Sequence, residues 1–194
     1  MNFKKYSESR ITPYDRVIKY LLPLIPRSVK PNHLTFIRLV FTPVLIVWLI
    51  AGEYGISLVL FIILALTDMF DGAMARLRNQ ITDWGKIWDP IADKLLIGST
   101  VIILLIKVNL TLTILVIAFE LMFIIGGTFV RMNHKDIEIQ ANTWGKIKMN
   151  LQAFGGGFLI LGVMIAAPNL VFTGELLLYS SLFFALMSLL TKGI

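Results

Sequence analysis

The chain has 194 residues, 57% hydrophobic and only 15% charged, where an ordinary soluble domain is about 25% charged; with a mean hydropathy of +0.79, it has too little polar surface to cover a water-facing globule. It contains no cysteine, which excludes disulfides and thiolate metal sites. The net charge of +6 would suit a nucleic-acid partner, but the placement of the basic residues points instead to a membrane.

In chain order, Met1–Arg10 is not followed by a short apolar stretch with a cleavage site, so no secretory signal is expected. Thr12-Pro13-Tyr14-Asp15 reads as a helix start, with a Thr cap, Pro at the first helical position and an acid three residues after the cap. Tyr14, Val17, Ile18, Leu21, Leu22 and Ile25 then recur at helical spacing, until Pro23 and Pro26 limit the helix. A short basic amphipathic helix ahead of a membrane domain suits an anionic lipid surface. Packing against the transmembrane bundle is the alternative, and the two are compatible. Residues 1–32 therefore read as a cytoplasmic N-terminal region, and residues 33–194 as one transmembrane domain.

Apolar runs follow at about 34–52, 56–78, 86–107, 109–131, 146–167 and 172–191, each near the roughly 20 residues that cross a bilayer as a helix. The fold class is all-α integral membrane, with six transmembrane helices after the amphipathic one. With the N-terminus inside, 17 of the 18 Lys and Arg residues fall on the inner side and only Lys107 on the outer. The positive-inside rule thus places both termini in the cytoplasm. Topology and anionic lipid account for the basic balance, and no nucleic-acid partner is expected.

Asp68 and Asp71 are three residues apart near the inner end of the second run, and Asp89 and Asp93 are four apart near the start of the third. Each pair shares a helix face, and an antiparallel hairpin brings the pairs to similar depth. Four carboxylates together at a membrane boundary repel one another and are costly to desolvate. Nearby, Arg76 and Lys94 supply only two positive charges. Divalent cations would balance the rest, and hard oxygen ligands select Mg²⁺, Mn²⁺ or Ca²⁺. Gly72, Ala75 and Gly85 leave room either for close helix packing or for a ligand against the backbone. Pro90 removes a backbone bond to Lys86 and predicts a kink beside Asp89.

These residues carry a resemblance. Asp68-x-x-Asp71-Gly72-x-x-Ala75-Arg76, eight residues, then Gly85-x-x-x-Asp89-x-x-x-Asp93 resembles the full signature of the CDP-alcohol phosphotransferase family. The resemblance implies a six-helix membrane enzyme, usually a homodimer, with its site open to the cytoplasm of a cell (inner) membrane. It implies two divalent cations, Mg²⁺ or Mn²⁺, held by Asp68, Asp71 and Asp89, with Asp93 completing the second site and acting as general base. Gly72, Ala75, Arg76, Thr82 and Gly85 would lie against the CDP part of a CDP-diacylglycerol donor. The alcohol would attack the lipid-proximal phosphorus and release CMP.

Lys30–Arg38 resembles the family's opening of the first helix, beside the nucleotide. Asn32 and Thr35 read either as ligand contacts or, for Asn32, as a helix cap, and Arg38 reads as a side chain snorkelling to headgroups. His33 and His134 lack metal spacing.

For the acceptor, Trp144–Gln152 and Asp89–Leu96 are similar to the phosphatidylglycerophosphate synthase subgroup. Lys146 and Lys148, with Arg131 across the loop, suit a phosphate-bearing alcohol such as glycerol 3-phosphate, unless they are ordinary positive-inside charges. Where that subgroup has an Arg-Glu pair, this chain has Phe119-Glu120, so Glu120 is either an acceptor contact or a partner for Lys148. Phosphatidylglycerol, inositol phosphate or serine are the other acceptors open to the same chemistry. A membrane prenyltransferase would need Asp-rich clusters on two separate helix pairs in a larger chain. A Mg²⁺ transporter would need polar residues continuing through the outer halves of the helices, which are apolar here.

Overall fold

A computed structural model of the protein describes residues 18–20, 22, 25–26, 28–133 and 143–192. Among these there are helices and no strand: α1 (Pro31–Ala51), α2 (Tyr54–Leu77), α3 (Asp83–Asp93), a π-helical turn (Lys94–Gly98), α4 (Ser99–Val108), α5 (Leu110–Asn133), α6 (Thr143–Met164) and α7 (Pro168–Lys192). Helices α1, α2, α6 and α7 are long and apolar enough to cross a membrane.

The burial pattern is inverted relative to a soluble protein. Val47, Ile50, Phe172, Phe183 and Leu190 are exposed, whereas Thr35, Arg38, Thr42, Lys148, Gln152 and Ser181 are buried. In water this would expose large apolar patches. In a bilayer it puts the apolar side chains against lipid and lets the polar ones satisfy each other inside.

The predicted runs all correspond to helix, with shifted ends. Pro31 and Pro168 start α1 and α7, three and four residues before the predicted starts, because proline fits the first turn and the polar residues after it are already helical. The third run is not a plain helix: α3 passes into the π turn and then α4. Pro90 lies inside α3, and the π turn begins directly after Asp93. Such π turns are frequent at functional sites.

The chain forms two compact units, Met1–Leu45 with Val59–Leu96, and Ile46–Leu58 with Ile97–Ile194. In the first, Ile18 and Leu22 form a buried cluster with Ala73 and Met74 of α2, joined by Ile25, Val29, Leu34, Phe70 and Leu77. The described part of the N-terminal region thus packs on α2. Thr12–Val17, which carry the helix-start signals, lie outside the described residues.

Arg78 fastens this packing. Its guanidinium donates to the carbonyls of Leu22 (3.1 Å), Ile25 (2.8 Å) and Val29 (3.2 Å), which lie in a Pro-interrupted segment lacking a regular helical ladder. Asn79 has φ +53°, and Gln80 donates its backbone N–H to Ala75 (3.0 Å), which closes α2 in the usual left-handed cap. Thr82 then caps α3, accepting from the Gly85 N–H (3.0 Å). In its first turn Asp83 accepts a hydrogen bond from Lys86 (2.8 Å), which with the lysine charge holds that carboxyl below its ordinary range.

In the second unit, α6 and α7 form a hairpin with backbones in close approach. A Cβ on Gly162 would stand 2.7 Å from the Val171 nitrogen, and one on Gly174 would stand 3.0 Å from the Gly155 carbonyl. Small residues permit this intimacy, on which membrane helix pairs rely in place of a hydrophobic drive. Asn109 caps α5 through the Leu112 N–H (3.0 Å) and also donates to Glu175 of α7 (2.9 Å).

Gly162→Ala should therefore destabilise the protein by about 1–3 kcal/mol through overpacking against backbone. Gly98→Ala, where a Cβ meets nothing within 4 Å, should leave the thermal midpoint in detergent unchanged. Equal midpoints for the two variants would contradict the packing account.

Candidate active site

The site is built within the first unit by α1, α2 and α3. Residues one turn apart on α1, namely Asn32, Thr35 and Arg38, meet the two acidic pairs. Thr35 donates its hydroxyl to Asp89 Oδ1 (2.6 Å). Arg38, with no exposed side-chain surface, donates to Asp71 Oδ2 (2.6 Å) and to Asp93 Oδ1, and its NH1 lies 3.2 Å from Asp68 Oδ1. Asp71 is almost fully buried, while the Asp68 side chain is 46% exposed. The four carboxylates do converge, as their spacing on the hairpin predicts.

The reading of Arg38 is corrected here. It does not snorkel to headgroups, and the acids are not limited to Arg76 and Lys94 for positive charge. Arg38 sits two turns into an apolar helix, where a charge needs a partner because lipid offers none. That placement was the available signal, and positive-inside topology masked it. Its Nε is a buried donor with no partner among the described residues.

The residues expected to line the nucleotide also gather. Thr82 donates to Asn32 Oδ1 (2.9 Å), so Asn32 joins α3 rather than capping its own helix. A Cβ on Gly85 would meet Asp89 Oδ2 and Thr82 Oγ1 at 3.2 Å and Asn32 Oδ1 at 3.4 Å. Gly85 therefore keeps open a space walled by three polar groups. Gly72 has a different neighbour: a Cβ there would stand 3.3 Å from NH1 of Arg76, so this glycine lets the arginine fold back along its own helix towards the residue that follows Asp71. Ala75 is half-buried on the same helix. On α3 the acids occupy one face, while Trp84, Ile87, Trp88 and Ile91 are exposed on the other, with the two indoles stacked at 5.8 Å.

The donor chemistry suits hard divalent cations, since every ligand offered is a carboxylate oxygen. Among the described residues, no three acidic or histidine side chains are already gathered about one ion position. One oxygen each of Asp68, Asp71 and Asp93 is shared with Arg38.

The tentative acceptor residues lie in the second unit. Lys148 donates to Glu120 Oε1, and Gln152 Nε2 reaches the same oxygen at 3.1 Å. Lys148 also stands 4.6 Å from the centre of the Phe123 ring. Glu120 and Lys148 are thus a buried ion pair, one of the two roles open to Glu120 in the sequence. Lys146 is exposed. The Arg131 side chain and His134 lie outside the described residues.

A model of the CDP-alcohol phosphatidyltransferase family matches residues 28–189. The chain is 34% identical over 164 residues to a Rickettsia felis protein named CDP-diacylglycerol--glycerol-3-phosphate 3-phosphatidyltransferase, a match covering 81% of this chain and 90% of that one. An Aquifex aeolicus protein of the same name is 36% identical over 104 residues, covering 52% and 58%. A Mycobacterium tuberculosis protein named as a probable phosphatidylglycerophosphate synthase is 34% identical over 162 residues, covering 76% and 74%. With the signature aspartates of α2 and α3 converging on Arg38 of α1 and the match running through the length of the membrane domain, the chain belongs to the CDP-alcohol phosphatidyltransferase family, multi-pass membrane enzymes that transfer phosphatidyl groups.

Proposed function

We propose that this protein is a phosphatidylglycerophosphate synthase, which transfers the phosphatidyl group of CDP-diacylglycerol to a hydroxyl of glycerol 3-phosphate and releases CMP. The observation that carries the reading is the meeting of Asn32, Thr35, Arg38, Asp68, Asp71, Thr82, Asp89 and Asp93 from three helices. The names of the relatives support the acceptor.

Asp68, Asp71 and Asp89 would hold two divalent cations, Mg²⁺ or Mn²⁺, with Asp93 completing the set. When bound, these ions would neutralise the pyrophosphate and stabilise charge on the transferring phosphoryl group. Asp93 takes the proton of the attacking hydroxyl as the new O–P bond forms at the diacylglycerol-bearing phosphorus. The bond from that phosphorus to the bridging oxygen breaks, and CMP leaves with this oxygen. Asn32, Thr82 and the open face of Gly85 border the nucleotide, and Gly72, Ala75 and Arg76 border its phosphates. Thr35 keeps Asp89 turned towards the site.

The inner membrane places the site at the cytoplasmic surface, where CDP-linked lipid and soluble alcohol meet. Six spans are reached when α3, the π turn and α4 cross as one element and α5 crosses as another. The N-terminal amphipathic helix lies at the inner surface, and the enzyme is a homodimer. Lys146 and Arg131 would contact the acceptor phosphate. The replacement of the subgroup's arginine by Phe119 favours a second reading, in which the acceptor is phosphatidylglycerol, inositol phosphate or serine.

Purified protein with Mn²⁺ or Mg²⁺ should release CMP from CDP-diacylglycerol when glycerol 3-phosphate is supplied, and not without an alcohol. Release with another alcohol alone would move the assignment to that acceptor, and no release with any of the four would reject the enzyme reading. Asp93→Asn should lower kcat by about 10²–10⁴-fold while Mn²⁺ still binds. Near-normal turnover with the ion bound would remove Asp93 as the base.

A further inference from the structure

Arg38 does more than the sequence asks of a helix-end arginine. Its guanidinium is wholly buried and takes one oxygen from each of three carboxylates, those of Asp68, Asp71 and Asp93. Burying such a group is tolerable only if several acids compensate it together. The dependence runs the other way as well. Asp71 and Asp93 are themselves largely buried, and Arg38 is the cation in contact with both. The fourth acid, Asp89, is held differently, by the neutral hydroxyl of Thr35.

The carboxylates that Arg38 takes are those assigned above to divalent cations. A positive charge within a few ångströms opposes the entry of a doubly charged ion, and in a partly buried site that repulsion is screened far less than in water. The same atom pairs that steady the cluster therefore work against ion binding. Two ligands that draw on one set of groups are negatively coupled, and the coupling is reciprocal.

Resting on the divalent-cation reading of this site, we propose that Arg38 is a resident counter-charge that competes with the divalent cation for Asp68, Asp71 and Asp93, holding the cluster together without the ion and weakening its grip on the ion. Arg38 acts through the carboxylates and is a positioning residue. Its competition would keep the bound ion exchangeable.

The test uses Mn²⁺ alone as probe on the full-length protein in detergent. Binding is read from loss of the free-ion paramagnetic resonance signal, and stability from thermal unfolding in EDTA and in saturating Mn²⁺. Arg38→Gln should bind Mn²⁺ at least about tenfold more tightly than wild type. It should unfold at lower temperature in EDTA and recover that loss in Mn²⁺. Arg38→Lys, which keeps the charge, should stay within about threefold of wild-type affinity, and Thr35→Val, which removes a hydrogen bond but no charge, should not tighten binding. If Arg38→Gln does not accumulate, the double variant Arg38→Gln with Asp93→Asn, in which the loss of charge is balanced, should bind Mn²⁺ more tightly than Asp93→Asn alone. Equal or weaker binding in the Arg38→Gln variant, or in the double variant against its parent, overturns the competition while leaving the metal site standing. Absence of saturable Mn²⁺ binding by wild type would remove the metal site and the competition together.

Discussion

A guanidinium with no solvent exposure, two turns into an apolar helix, has to find its counter-charges within the protein. Arg38 finds them on α2 and α3, and the rest of the first unit is arranged around that requirement. Breaking a buried pair of this kind costs about 3–5 kcal/mol, since the remaining charge is left with neither water nor a partner. The constraint fixes where α1 meets the acidic hairpin. Thr35 and Asn32 lie about one and two turns before Arg38, so seating Arg38 also delivers them to Asp89 and Thr82. Two hydrogen bonds from threonine hydroxyls and three arginine–carboxylate contacts thus set the register of three helices.

The same unit is braced from outside the site. Arg78 supplies donors to three carbonyls of a proline-broken segment, and Ile18 and Leu22 cover Ala73 and Met74. These residues flank Asp71 and Gly72 in sequence, so the bracing holds the stretch of α2 that carries the acids. At the far end of the site, the π turn begins at the residue after Asp93.

The apolar runs were legible because length and hydropathy respond directly to the bilayer. The acidic pairs were legible because three- and four-residue spacings leave little choice of face. Their convergence followed from the short turn between α2 and α3. The glycines were only half legible: Gly85 makes room among polar groups, but Gly72 makes room for Arg76, and sequence alone does not distinguish these. Arg38 and Arg78 were hidden by an overlap of signals, since an arginine near the inner end of a span looks the same whether it faces headgroups or the interior. The π turn left no mark beyond Pro90. In the second unit, Glu120 stood out as an acid in an apolar helix, and its pairing with Lys148 follows from the same need for a partner that governs Arg38.

The central claim is that this cluster directs an alcohol to the lipid-bearing phosphorus of a CDP-linked donor. The most direct test is to supply glycerol 3-phosphate labelled with ¹⁸O in its hydroxyl groups and to analyse both products by mass spectrometry. The account predicts label in the phosphodiester of the lipid product and unlabelled CMP. Phosphatidic acid accompanied by a labelled phosphodiester of CMP with glycerol 3-phosphate would place the attack on the other phosphorus and contradict it.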